Sequence, residues 1–388
     1  MDLPRIQSTL RDAGIEAWLL YDFQGTNRIS SRVAGVPSPL SRRWFSLVPA
    51  AGEPIWVLHR IELGPFASVP GKKLVYLARE ELESRLREAL AGLSRVAMEY
   101  SPRAALPTAS RVDAGTVELV RSMGVEVVTS AALAQVFFAP WGEEGEASHR
   151  RASVALSKAK ELGLETVRAS LSRGRRPLET EVQAAIAGEI ERGGLSFDHP
   201  PIVAVGPHAG DPHFSPSPEG DARIGPDEVL LIDLWGKESG EAAIYADMTW
   251  MAYTGKRVPA AVQRVWETVR RARDAVVEEL VRRHAAGETA RGFELDRVAR
   301  GVIREAGYGD AFLHRTGHSI GRELHGDGAN LDSLETLDER PILAGTGFSV
   351  EPGIYLDAFG VRSEIDVFLG SNGPVVTTER QMDLTLLG

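Results

Sequence analysis

Three of the chain's nine histidines fall within residues 314–325, His314-Arg-Thr-Gly-His318-Ser-Ile-Gly-Arg-Glu-Leu-His325. Gly317 and Gly321 break any helical reading of the His314/His318 pair, so the imidazoles are expected on an extended or looping segment where backbones approach closely. Four carboxylates in apolar company go with them. Asp233 lies in Val229-Leu-Leu-Ile-Asp-Leu-Trp235, Asp247 in Ile244-Tyr-Ala-Asp-Met-Thr-Trp250, Glu351 in Phe348-Ser-Val-Glu-Pro-Gly-Ile-Tyr355, and Glu364 in Val361-Arg-Ser-Glu-Ile-Asp-Val-Phe368. A charged carboxylate in such a segment is costly unless it is paired or holds a metal, and neutral imidazole beside hard oxygen donors suits a divalent first-row ion. Two cations about 3.5 to 4 Å apart would balance four negative charges and ionise a water between them, whereas one would leave the acids repelling each other.

Side chains alternate faces along a strand, so this set must be gathered from several strands. Gly236-Lys-Glu-Ser-Gly240 between Asp233 and Asp247 reads as a hairpin turn that lets both acids face one pocket. Strands are expected at 201–206, 229–235 and 242–253, helices at 259–285 and 293–306, and strands again beyond, an α+β pattern with a curved sheet that carries the acids. Upstream, a helix at 148–171 and a capping-box pattern at Thr180-Glu-Val-Gln183, opening a helix to Arg192, precede this region. Before residue 140 the chain alternates. Strands at 17–21, 44–49, 55–59, 73–77, 96–100 and 125–129, with helices at 4–13, 80–90 and 109–123, predict a three-layer α/β domain. The pattern loosens from Ala131 through Gly145, where the connection between domains is expected.

The length, 388 residues, predicts about two or three domains. The net charge of −10 is uneven, with residues 1–140 near +2 and the remainder near −12, which supports a boundary at 140 and argues against nucleic-acid binding. No cysteine is present, so disulfides and thiolate chemistry are excluded. No basic-then-apolar leader and no membrane-length apolar run is found, and a cytoplasmic location is expected.

The order Asp, Asp, His, Glu, Glu, set in Leu-Ile-Asp-Leu, Tyr-Ala-Asp-Met-Thr, Thr-Gly-His-Ser-Ile-Gly, Val-Glu-Pro-Gly-Ile-Tyr and Arg-Ser-Glu, resembles the pita-bread metallopeptidases. That family includes prolidase, aminopeptidase P, methionine aminopeptidase and creatinase. Residues 1–140 look like the creatinase-type α/β N-terminal domain of the prolidase and aminopeptidase P branch, and 141–388 like the α+β pita-bread catalytic domain. The resemblance implies two divalent cations per chain, with manganese the first choice and cobalt or zinc the others. Asp233 would bind one, His318 and Glu351 the other, and Asp247 and Glu364 both. It further implies that Glu351 takes the proton of the attacking water, that His213 contacts substrate, that His325 stabilises the tetrahedral intermediate, and that His314 and Arg362 support them. The implied activity is hydrolysis of the bond before proline in short peptides, by a homodimer. Arg362 is also a candidate cation for a dipeptide's free carboxylate, and the lengthened Gly236 to Glu241 turn a candidate wall against longer chains.

The Asp233–Asp247 spacing is longer than usual in the family, His208 stands where asparagine is common, and Gly326 follows His325 where an acid is common. A lone acid in an apolar strand is more often a hydrogen-bonded structural group, but five ligand residues in the family's order carry a different weight. Two alternatives stay open: a non-catalytic peptide-binding member of the same fold, and an aminopeptidase of other specificity. His59, His149, His199 and His284 have no companions in sequence and are read as ordinary, as is His208.

Overall fold

A computed structural model describes residues 1–37 and 39–388 and divides into two compact units, Met1–Phe137 and Phe138–Gly388. In the first unit the run Ala-Trp-Leu-Leu-Tyr-Asp is buried on both faces and forms a central strand, β1 (Ala17–Asp22). Around it lie α1 (Leu3–Asp12), α2 (Arg28–Ala34), β2 (Trp44–Pro49), β3 (Ile55–His59), β4 (Lys72–Tyr76), α3 (Arg79–Ala89), β5 (Arg95–Met98), α4 (Ala114–Ser122), β6 (Glu126–Thr129) and α5 (Ala131–Phe138). The sheet order is β4-β3-β2-β1-β5-β6, antiparallel only at β1/β2 and β2/β3. Leu19 and Tyr21 join the core that Leu82, Leu86, Val117 and Val120 of α3 and α4 fill, while Trp18, facing the other way, packs on Phe137. Helices therefore cover both faces, the three-layer arrangement that the alternation predicts.

Two expectations here need correction. The helix expected from residue 109 begins only at Ala114, because the Asp113 side chain caps it by accepting from Thr116 N–H at 2.9 Å. The stretch from Ala131, read as loosening, is the helix α5.

The second unit opens with α6 (Gly142–Ser172), which starts before the expected residue 148, and α7 (Glu179–Arg192). The N-terminus of α7 is closed two residues earlier than the expected box. Glu181 accepts from Leu178 N–H at 3.4 Å, while the Thr180 hydroxyl donates to Asp221. Next come β7 (Ile202–Val205), β8 (Val229–Gly236), β9 (Ala246–Tyr253), α8 (Ala260–Ala285) and α9 (Gly292–Glu305). They are followed by β10 (Ser319–Ile320), β11 (Thr346–Val350), β12 (Gly353–Leu356), β13 (Phe359–Arg362), β14 (Ile365–Gly370), β15 (Gly373–Val376) and β16 (Thr385–Leu386).

The expected curved sheet is three pieces: β16-β9-β8-β7, β10-β11-β14-β15 and the β12-β13 hairpin. The β8–β9 hairpin is buried on both faces. Its even-numbered Leu230, Ile232, Leu234, Met248 and Trp250 join the core with α6 and α7, and its odd-numbered Val229, Leu231, Met251 and Tyr253 join the core with α8 and α9. Asp233, Asp247 and Thr249 are odd-numbered too, so the pleat alone puts them on the second face. No helix among the described residues is long and apolar enough to cross a membrane.

Candidate metal centre

Asp233 and Asp247 are not directly opposite one another. Asp233 pairs with Thr249 and Asp247 with Trp235, and all four side chains share a face. The strand expected at 242–253 begins only at Ala246, so the connection between β8 and β9 is longer than a tight hairpin turn. Glu351 and Glu364 are not within strands, contrary to the expectation of strand-borne acids. Glu351 occupies the step from β11 to β12 and Glu364 the step from β13 to β14, where the chain passes between the four-stranded sheet and the hairpin. A residue at such a step is freed from the pleat's alternation and can turn toward the β8–β9 acids.

His318 sits just before β10, on the looping segment expected. Gly317 is required there, because a Cβ would lie 2.0 Å from the Ser349 carbonyl oxygen. The close approach is locked by His318 N–H donating to Ser349 Oγ at 2.9 Å and Ser349 N–H donating to the His318 carbonyl at 2.8 Å. His318 Nδ1 lies 3.1 Å from the Ser319 carbonyl, which assigns the ring proton to Nδ1 and leaves Nε2 with a free lone pair. That nitrogen is 3.5 Å from both Asp247 Oδ2 and Glu351 Oε1. Ligand atoms of Asp247, His318 and Glu364 all lie within 4.8 Å of one another.

The second layer was largely missed by sequence reasoning. Thr249 Oγ1 lies 2.7 Å from Glu364 Oε2 and 3.1 Å from Asp233 Oδ1, and it accepts from Arg362 Nε at 3.0 Å. Tyr355 joins His314 to Arg362, its hydroxyl 2.7 Å from His314 Nε2 and 3.4 Å from Arg362 Nη1. Both residues stand in the quoted motifs, and Thr249 follows Asp247 by the two-residue period that was the available signal. Arg362 is committed to Asp233 through Nη2, so the expectation that it is the free cation for a substrate carboxylate is corrected. Buried Asp366, next but one to Glu364, accepts from Asp247 N–H at 2.8 Å. His149, read as ordinary, is fully buried between the Tyr245 carbonyl and Thr377 Oγ1, both at 2.6 Å, and its Nε2 is 3.9 Å from Asp366 Oδ2.

The histidines divide. His318 is buried and His314 half-buried within the cluster, and the His325 ring meets His318 edge-on at 4.3 Å while remaining open to solvent. His213 stands exposed on a turn after Asp211, on a loop whose Ala209 and Gly210 are pressed against the β12–β13 hairpin. His208 pairs with buried Glu179 at 2.9 Å and stacks on Phe214, a structural role in keeping with its reading.

Whether this set fits a metal is answered by its electrostatics. Burial first, and then repulsion from Asp233 and Glu351, pushes Asp247 well above the usual carboxyl range, and burial with repulsion from Asp247 does the same to Glu364. Asp247 Oδ1 is buried without a hydrogen-bond partner among the described residues. Arg362 is the only side-chain cation hydrogen-bonded to these acids among the described residues, too little charge for four carboxylates. Divalent cations remove the repulsion and give the orphaned oxygen a partner, so the residues fit the group.

A family model described as metallopeptidase family M24 matches residues 146–370. An Xaa-Pro dipeptidase of Lactobacillus helveticus is 32% identical over 213 residues, 53% of this chain and 53% of that protein. Among solved structures, the dipeptidase PepE of Mycobacterium ulcerans aligns with a TM-score of 0.69 at 23% identity, covering 99% of this chain and 96% of that one. A prolidase of Thermococcus sibiricus aligns at 0.62 and 21%, covering 100% and 99%. These two structural likenesses bear on the fold, which is a creatinase-type N-terminal domain followed by a pita-bread domain. The chain spans 53% to 59% of the length of the first curated relatives it matches.

Proposed function

The chain belongs to metallopeptidase family M24, and from that premise we propose that it hydrolyses the bond before proline in short peptides, using two divalent cations held by Asp233, Asp247, His318, Glu351 and Glu364. The observation that carries the reading is the convergence, from five separate segments, of four carboxylates, three of them buried and Glu351 nearly so, and an imidazole whose free nitrogen lies 3.5 Å from two of them, with Asp247 Oδ1 unpartnered. The names Xaa-Pro dipeptidase and prolidase among the relatives and neighbours support proline as the residue after the cut. Manganese is proposed first because hard oxygens dominate the donor set. A homodimer is the proposed assembly.

Bound there, divalent cations supply Lewis acidity, polarising a carbonyl and making water acidic enough to ionise near neutral pH. The chain's own residues supply the rest. Burial opposes the Glu351 charge, but the neighbouring cationic groups, the Arg362 and Arg315 guanidiniums among them, favour it and hold the carboxyl below its usual range. Glu351 is therefore the ionised acceptor for the proton of the attacking water, and it returns that proton to the departing proline nitrogen, which has no hydrogen of its own. His325, solvent-open and edge-on to His318, offers a ring N–H to the developing oxyanion. The Arg362–Thr249 pair orients Asp233 and Glu364.

The deciding experiment measures the metal content of the purified protein and kcat/KM for Ala-Pro, Ala-Pro-Ala and Met-Ala. Two equivalents of metal and cleavage confined to proline substrates are expected. Indifference to proline, or a protein that neither contains metal nor gains activity from it, overturns the proposal.

A further inference from the structure

Among the described residues six of the seven tryptophans are buried, and Trp235 alone is half-buried. It stands at the proposed metal centre. Trp235 follows Asp233 by two residues on β8 and pairs directly with Asp247 of β9, so its side chain takes the face that carries both acids. Directly opposite residues hold their Cβ atoms about 4.5–5.5 Å apart, which starts the indole beside Asp247. An indole placed next to four carboxylates adds nothing to their charge balance. What it offers there is an apolar face.

That face is held in place. The indole N–H donates to Asp198 Oδ1 at 3.0 Å. The segment carrying Asp198 is pinned to the end of β8, Ser196 N–H donating to the Lys237 carbonyl at 2.8 Å and Lys237 N–H donating to the Ser196 carbonyl at 3.0 Å. The ring packs on a core that includes Ile244, Tyr245 and Ile320, and Leu324 packs on the same core. Tyr245 N–H donates to the Gly321 carbonyl at 3.0 Å, and the Lys237 ammonium donates to the Arg322 carbonyl, which ties the β8–β9 connection to the segment that leads into His325.

Trp235 also occupies one end of the site. Arg362, paired with Asp233, marks the other, because it belongs to the β12–β13 hairpin onto which the loop bearing His213 is pressed, and Glu351 opens the step into that hairpin. Trp235 lies beyond Asp233, roughly 7 Å farther along β8. In the proposed reaction the proline nitrogen leaves with a proton from Glu351, so the proline belongs at the hairpin end and the residue before it at the Trp235 end.

Resting on that reaction, we infer that the Trp235 indole receives the side chain of the residue before proline and makes the site selective for large apolar residues there. The physical source is burial. A leucine side chain leaves water for contact with an apolar ring, while glycine brings nothing to bury. The bond to Asp198 sets the ring in advance, so little ordering of the protein accompanies binding.

The test compares kcat/KM for Leu-Pro, Ala-Pro and Gly-Pro in the wild type, Trp235→Gln, Trp235→Ala and Trp235→Phe. Each preference is a ratio within one protein, so a partial loss of metal or stability cancels. The wild type is expected to favour Leu-Pro over Gly-Pro by roughly 10- to 100-fold, the scale of burying most of one leucine side chain. Trp235→Gln keeps a donor for Asp198 but removes the apolar ring, and it should lose most of the preference, as should Trp235→Ala. Trp235→Phe should fall between them and the wild type. A wild type indifferent to the first residue, or a glutamine or alanine variant that keeps the full preference, overturns the assignment of Trp235 while leaving the Xaa-Pro activity standing. So does an equal fall for all three substrates, since the ring would then serve the proline or the fold. Should those two variants not fold, an undiminished preference in Trp235→Phe overturns the assignment as well. Failure of the wild type to cleave any of the three substrates overturns the underlying activity, and the assignment with it.

Discussion

Replacing Thr249 with valine changes one buried hydroxyl to a methyl of similar size, so no cavity opens and the effect isolates hydrogen bonding. Three contacts are lost, the 3.1 Å one to Asp233 Oδ1 sharing the single hydroxyl proton with the shorter one to Glu364. The hydroxyl's 2.7 Å contact with the Glu364 carboxylate contributes about 1.5–3 kcal/mol as a hydrogen bond to a charged group. Arg362 Nε, 3.0 Å away, loses its acceptor in a buried setting, a cost of about 1–3 kcal/mol reduced by the hold that Asp233 and Tyr355 keep on the same guanidinium. A net destabilisation of about 3 kcal/mol follows, or a fall of about 6–12 °C in the melting of the C-terminal unit. Because Thr249 stands behind Asp233 and Glu364, manganese affinity should also drop by about 10- to 100-fold, the usual effect of removing a group that orients metal ligands. Calorimetry of metal-free protein and titration with Mn²⁺ read the two quantities separately. Thr249→Ser, which keeps the hydroxyl, should stay near wild type in metal affinity. A Thr249→Val protein with unchanged melting and wild-type manganese affinity would refute the reasoning.

Glu351→Gln should fold and keep much of its metal while losing about 100- to 10,000-fold in kcat, and activity within a few-fold of wild type would reject the proton-acceptor role. Asp247→Asn should be worse, and elemental analysis should find less than the wild-type metal content. His149 is held at about 4 by burial, against an ordinary 6.5. A folded-state value below the unfolded one means stability that is complete above pH 6.5 and is lost as pH falls through 6.5 toward 4. About 2 kcal/mol should disappear between pH 7.5 and 5, and an equal slope in His149→Asn, followed by denaturant unfolding, would show that another group is responsible. Gly317→Ala should cost at least about 3 kcal/mol, since the added carbon meets the Ser349 carbonyl at 2.0 Å, and a melting temperature equal to wild type would contradict that crowding.

The proposed ligand types were legible because a metal site needs particular chemistry, and Asp, His and Glu keep that chemistry in any conformation. The shared face of Asp233 and Asp247 was legible too, because it follows from the two-residue period of strands joined by a turn. Periodicity was less informative at the ends of elements. Side-chain caps such as Asp113 decide where α4 begins, and α7 begins at a cap other than the one its Thr-Glu-Val-Gln pattern suggested.

What the sequence determined by itself is therefore the inventory of the proposed site, the pleat that turns Asp233 and Asp247 the same way, and the change of character near residue 140. Tertiary structure alone decided the partners. Arg362 pairs with Asp233 across 129 positions, Thr249 meets Glu364 across 115, and His149 reaches Thr377 across 228. It also placed Glu351 and Glu364 at steps between sheets, left His213 on an exposed turn and left the Trp235 indole half-buried beside Asp247. The physical reason is one of range. Local periodicity sets which face a side chain takes within its own element, while its hydrogen bonds and charges are set by elements that arrive from elsewhere in the chain, and no pattern within a few residues encodes their approach.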